Sequence, residues 1–163
     1  MTTTQPAVRL LVCGTAERGD DGAALAAAAR LLPTLSRELC AHLEVRRCTQ
    51  LDPADLTDVP AGTACIVMDT VVGIEPGAIV LISFPALVAR TSSATLRSAH
   101  VLPVDEALRA VEAARGRLPE GMLVGIGGKW FGYGRRFSRA VKSGIPALGE
   151  AVVGQLEHFA QPH

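Results

Sequence analysis

Two adjacent acids, Asp20 and Asp21, stand in a turn framed by Gly14, Gly19 and Gly22. An apolar run, Leu10-Leu11-Val12-Cys13, leads into the turn, and an Ala-rich helical stretch leaves it. Strand–loop–helix units of this kind are where α/β proteins hold ligands. Gly14 and Gly19 have the spacing of a phosphate-binding loop, but such a loop offers phosphate a Lys and backbone N–H groups, and an acid pair would repel it. Carboxylates in this turn suit a metal ion, or a cationic or amide group. Asp20 is expected to cap the helix that follows, which leaves Asp21 as the acid available for chemistry. A second carboxylate, Asp69, closes the apolar run Cys65-Ile66-Val67-Met68, either as a turn-former at a strand exit or as a ligand. Among the four histidines, His42 falls in a polar connection, His158 near a helix end and His163 at the terminus. His100 follows the Ser/Thr-rich residues 91–98 on a loop leading into a helix, a place for a structural histidine or for a ligand. Asp21, Asp69 and His100 together would offer two carboxylates and one imidazole with open positions, a set suited to a divalent ion of the nickel, zinc or manganese type.

The elements that must position these residues can be marked by hydrophobic pattern. Strand-like runs cover 8–13, 43–48, 64–69, 78–83 and 122–126, with helical patterns over 22–32, 53–57, 104–115 and 146–159. Pro33 is expected to stop the first helix and Pro146 to start the last. Strands alternating with helices predict a three-layer α/β sandwich, a mostly parallel five-stranded sheet with helices on both faces. The link between the third and fourth strands, punctuated by Pro76-Gly77, is too short for a parallel crossover, so the fourth strand should be antiparallel. Ligands gather at the carboxyl ends of parallel strands, which brings Asp21, Asp69 and the Gly127-Gly128-Lys129-Trp130 stretch to one edge.

Composition narrows the function classes. At 163 residues a single domain over 1–163 is expected, with residues 1–7 as an unstructured lead. Lys+Arg and Asp+Glu each total 16, so no net field draws the chain to nucleic acid or to an anionic membrane. Residues 129–142 interleave five basic side chains with four aromatics, as a stacking groove would, but the balanced charge and missing motif set nucleic acid aside. No apolar run approaches the ~20 residues of a membrane span. The polar start and the unpaired cysteine spacings predict a cytoplasmic protein, with Cys13 and Cys65 as small buried hydrophobes; a monomer is expected, though no sequence pattern specifies it. Residues 127–137 hold four of the six aromatic residues among several glycines; a mobile docking loop is expected there, with Trp130, Tyr133 and Arg135 contacting a partner.

Leu11-Val12-Cys13-Gly14-Thr15 with Gly19-Asp20-Asp21-Gly22 resembles the opening motif of the hydrogenase maturation endopeptidases (the M52 peptidase type). Ile66-Val67-Met68-Asp69 with Pro76-Gly77 is similar to their second motif, Ser98-Ala99-His100 to their third, and residues 138–148 to their final helix start. The motifs keep their order and spacing over residues 8–159. The resemblance implies an endopeptidase that removes a C-terminal extension from the large-subunit precursor of nickel-iron hydrogenase after nickel insertion. It implies that Asp21, Asp69 and His100 contact the metal and serve catalysis, that the nickel is carried by the substrate, and that no other cofactor is needed. It also brings Thr49 to the substrate side, as the remaining residue of a Gly-Gly-Thr pattern that here reads Arg47-Cys48-Thr49. Thr15 stands where the family usually has Asn, and Pro103 where Gly is usual, departures that bear on substrate choice. The rival reading is a non-catalytic escort that binds the nickel-loaded precursor and leaves it uncut.

Overall fold

In the computed structural model, which describes residues 5–89, 97–98, 104–134 and 136–161, the apolar runs pair into one sheet. Its strands are β1 (Val8–Cys13), β2 (Leu43–Cys48), β3 (Ala64–Val72), β4 (Ile79–Ser83), β5 (Arg97–Ser98) and β6 (Gly121–Gly127). They lie in the order β2-β1-β3-β6-β4, with β5 on the far end of β3. β1, β2, β3 and β6 are parallel, and β4 runs antiparallel to β6 as the short Pro-Gly connection requires. The central strands β1 and β3 are buried on both sides, which is why they read as continuous apolar runs rather than as alternating ones.

Alternate residues divide the core in two. Leu10, Val12, Ile66, Met68, Val124 and Ile126 face α1 (Ala23–Leu31) and α6 (Arg139–Ala160). Leu11, Cys13, Cys65, Val67, Val71 and Leu123 face α3 (Pro53–Thr57), α4 (Phe84–Ala89) and α5 (Val104–Arg115). This is the expected three-layer α/β sandwich. A short α2 (Arg37–Ala41), capped by Ser36, completes the α-helices among the described residues. The packed chain takes in Ala7, whose N–H donates to the His42 carbonyl and whose carbonyl accepts from Ala64.

Three boundaries differ from expectation. A 3-10 turn, Gly19–Gly22, precedes α1, so both acids of the glycine-framed turn lie before the helix. β3 continues past Asp69 to Val72, because pairing with β6 persists to Val71↔Gly127 and β5 adds pairs at Val71 and Val72. α6 begins at Arg139 and carries Pro146 in its interior. Its apolar stripe runs Val141, Ile145, Leu148, Val152, Leu156, so burial pulls the helix about two turns upstream, and Pro146 sits on its exposed side, where a lost backbone hydrogen bond is tolerated best.

Candidate active site at the carboxyl edge of the sheet

Gly14 and Gly19 give the first turn its shape. Gly14 has φ 152°, and a Cβ there would run into the Asp21 carbonyl oxygen. Gly19 has φ 58°, and a Cβ there would enter the Trp130 ring. Only glycine lets the turn fold back on itself and lie flat against the downstream loop. Within it the Asp21 carboxylate accepts a hydrogen bond at Oδ2 from the Thr15 N–H at 2.9 Å, and the side chain is buried.

Asp69 is fully buried, and its Oδ1 accepts from the Thr70 N–H at 2.8 Å. The register Val12↔Met68 sets Asp69 level with Cys13, the last residue of β1. The Thr70 hydroxyl, on the opposite face of β3, donates to the Asp20 carbonyl at 2.8 Å, which fastens the acidic turn onto the strand. Asp21 and Asp69 are therefore brought to the same edge, each oriented by a backbone N–H. His100 lies outside the described residues; the described segments flanking it are β5, paired with Val71 and Val72, and α5, packed on the sheet face that carries Asp69. Among the described residues, no three His, Cys, Asp or Glu side chains group to hold a metal. His42 stands before β2 at the amino edge, and His158 is exposed in the last turn of α6, edge-on to Phe159.

Asp20 is not a helix cap. Its side chain is 0% exposed and faces away from α1, toward the loop after β6. Oδ2 accepts from the N–H groups of Lys129 and Trp130 at 2.8 and 2.9 Å and from the Ser138 hydroxyl at 2.8 Å, while Oδ1 accepts from the Ser138 N–H at 2.7 Å. Main-chain bonds continue the seam: Asp20 N–H to the Trp130 carbonyl, Gly19 N–H to the Gly134 carbonyl, and Gly134 N–H to the Glu17 carbonyl. The loop expected to be mobile is instead stitched to the acidic turn. Its aromatics divide: Phe137 packs against the core and Phe131 is half-buried, whereas Trp130 is 43% and Tyr133 85% exposed. The Arg18 guanidinium, which no sequence pattern singled out, lies over the Tyr133 ring at 5.4 Å from its centroid. Thr49 is exposed just past β2, and Arg135 lies outside the described residues.

Cys13 and Cys65 are poor candidates for a peptidase nucleophile. Burial pushes the Cys65 thiol up to about 12. A hydrogen bond shared with Cys48, then burial, raises Cys13 well above the ordinary thiol range. Cys13 and Cys48 pair directly across β1 and β2, a neighbourhood that their separation in sequence concealed.

A doubly covered, mostly parallel sheet with two buried carboxylates at its carboxyl edge defines an α/β protein with a strand-end site. No protein-family model and no curated protein matches the chain. Solved structures do. The [NiFe] hydrogenase maturation protease HybD from Thermococcus kodakarensis is 22% identical, with a TM-score of 0.68 over 91% of this chain and 98% of its own. HycI, a [NiFe] hydrogenase maturation protease from the KOD1 strain of that organism, is 18% identical, with a TM-score of 0.68 over 95% of each chain. The hydrogenase maturating endopeptidase HybD of E. coli is 18% identical, with a TM-score of 0.67 over 93% of this chain and 92% of its own. At these identities the likeness is one of fold, and it extends over nearly the whole of both partners.

Proposed function

We propose that this chain is an endopeptidase that trims the C-terminal extension from a nickel-iron hydrogenase large-subunit precursor once nickel is in place. The observation that carries the proposal is the pair of buried carboxylates, Asp21 and Asp69, held at one sheet edge of a chain that shares the maturation-protease fold from end to end. The nickel arrives as part of the substrate and docks at Asp21, Asp69 and His100; no resident cofactor is called for. Two anionic oxygens and one imidazole suit a borderline divalent ion and leave positions open for the substrate's own ligands. Thr15 and Thr70, through their N–H groups, fix the directions of the two carboxylates, so the ion meets a preorganised site. The chemistry is hydrolysis of one peptide bond. A divalent ion beside the scissile bond makes water a competent nucleophile near neutral pH, and a carboxylate at the site can relay its proton to the leaving amine. Trp130, Tyr133 and Thr49, on the same edge, together with Arg135, form the surface that receives the precursor, and the protein works as a cytoplasmic monomer. No helix among the described residues is long and apolar enough to cross a membrane.

The test is incubation with nickel-loaded large-subunit precursor, followed by mass measurement of the product. Loss of a C-terminal peptide is expected with the wild type, and its absence with Asp21→Ala, Asp69→Ala or His100→Ala. Tight binding of an uncut precursor would make the protein an escort instead.

A further inference from the structure

We propose that Cys13 and Cys48 form a redox-active dithiol, which closes to an intramolecular disulfide on reaction with a low-molecular-weight disulfide. The two residues end adjacent parallel strands and are direct partners in the β1–β2 register. Neighbouring strands lie roughly 4.8 Å apart, inside the ~4.4–6.8 Å span of Cα atoms that a disulfide bridges, so the backbone already holds both residues at bonding distance. The sulfurs point at each other, 2.9 Å apart, and reaching the ~2.05 Å of a disulfide bond calls for a movement of less than about 1 Å.

Accessibility sets the order of events. Cys13 is fully buried, and Cys48, on the edge strand β2, is only partly so. The Cys48 thiolate attacks one sulfur of the incoming disulfide; that S–S bond breaks, and one small thiol leaves carrying the proton that Cys48 gave up. Cys13 then attacks Cys48 Sγ in the mixed disulfide, giving up its thiol proton as the new S–S bond forms, and the second small thiol leaves with that proton. Two electrons pass from the protein to the oxidant, and nothing else is consumed. Cys40, exposed on α2, and Cys65, buried in β3, are internal controls. The crosslink would sit at the root of the acidic turn: the Gly14 N–H donates to the Cys48 carbonyl, and the next N–H, that of Thr15, orients Asp21. The dithiol stands on its own geometry and does not depend on the peptidase function.

The experiment is to incubate the full chain with oxidised glutathione, block the remaining thiols, and map disulfides by mass spectrometry. The wild type should yield a Cys13–Cys48 crosslink with the loss of two hydrogens and no lasting glutathione on Cys48. Cys13→Ala should trap glutathione on Cys48, and Cys48→Ala should leave Cys13 unmodified. Juxtaposition should make closure at least ~100-fold faster than exchange of the trapped adduct with a millimolar external thiol. Persistent glutathione on Cys48 of the wild type, or modification confined to Cys40, would overturn the proposal. Because the wild type alone gives the decisive map, a variant that fails to fold does not blunt the test.

Discussion

Removing the fully buried Asp20 carboxylate would strand the N–H groups of Lys129, Trp130 and Ser138 and the Ser138 hydroxyl, which meet it in a part-buried seam. Each unsatisfied buried donor costs about 1–3 kcal/mol, and relaxation of the loop toward water recovers part of that. Asp20→Ala is therefore expected to cost about 3–5 kcal/mol in urea denaturation; a loss of only ~1 kcal/mol, the size of a missing helix cap, would contradict the clasp. Its neighbour behaves differently. Asp21→Ala releases the N–H of an already half-buried Thr15, so it should cost clearly less than Asp20→Ala, about 1–2 kcal/mol, while abolishing precursor trimming. The acid pair was legible in sequence, and so was a structural part for Asp20, but the groups that Asp20 holds were not. Asp20 finds its partners more than a hundred residues downstream, and no local spacing encodes such a bond, whereas the capping explanation was local and therefore visible.

At the level of elements, the unit that matters is the pair of turns after β1 and β6, joined by the Asp20 bonds and by main-chain bonds between residues 17–20 and 130–134. Glycines in the second turn suggested looseness in the sequence; in the structure they let two backbones approach closely enough to bond. Trp130 is the sole tryptophan of the chain and lies against Gly19, so its emission reports on this seam. Gly19→Ala places a methyl group where the Trp130 ring stands and forces a left-handed φ on an alanine. It should shift tryptophan emission and lower Tm by several degrees while far-UV circular dichroism stays native; unchanged emission would mean that the two turns are not packed as described. Helix limits were less legible than strand limits for a related reason. Pro146 reads locally as a first helical residue, and only the burial of Val141 and Ile145 against the sheet carries α6 further upstream.

Across the whole molecule, the sheet was readable because its inner strands are apolar on both faces, but strand order and register are tertiary facts. That is why the Cys13–Cys48 contact and the charged cluster at the other end of β1 were invisible in sequence. In that cluster Arg9, 3% exposed, reaches Glu44 at 2.8 Å and Asp58, and donates to the Asp55 carbonyl at 2.9 Å, with Arg46 bridging Glu44, Asp55 and Asp58 from the surface. It ties β1, β2 and α3 together through charge where the rest of the fold uses apolar contact. Burial alone would raise the Glu44 and Asp58 carboxyls, but the hydrogen bonds and charges of Arg9 and Arg46 outweigh it and hold both below their ordinary values. A carboxyl whose folded pKa is depressed contributes stability that is fully present above its unfolded value and is lost as pH falls through the folded one. Tm should accordingly stay level from neutrality down to about pH 5 and drop below about pH 4.5. Arg9→Met keeps most of the buried volume and removes the cation common to Glu44 and Asp58. Because both carboxylates are partly exposed, water takes over much of their solvation, so the neutral-pH loss should remain below about 2 kcal/mol. The variant's Tm should then fall less between about pH 5 and pH 3 than the wild type's, with Arg46 sustaining the remaining slope. Parallel Tm–pH curves for the two proteins would mean that acid lability originates elsewhere in the fold.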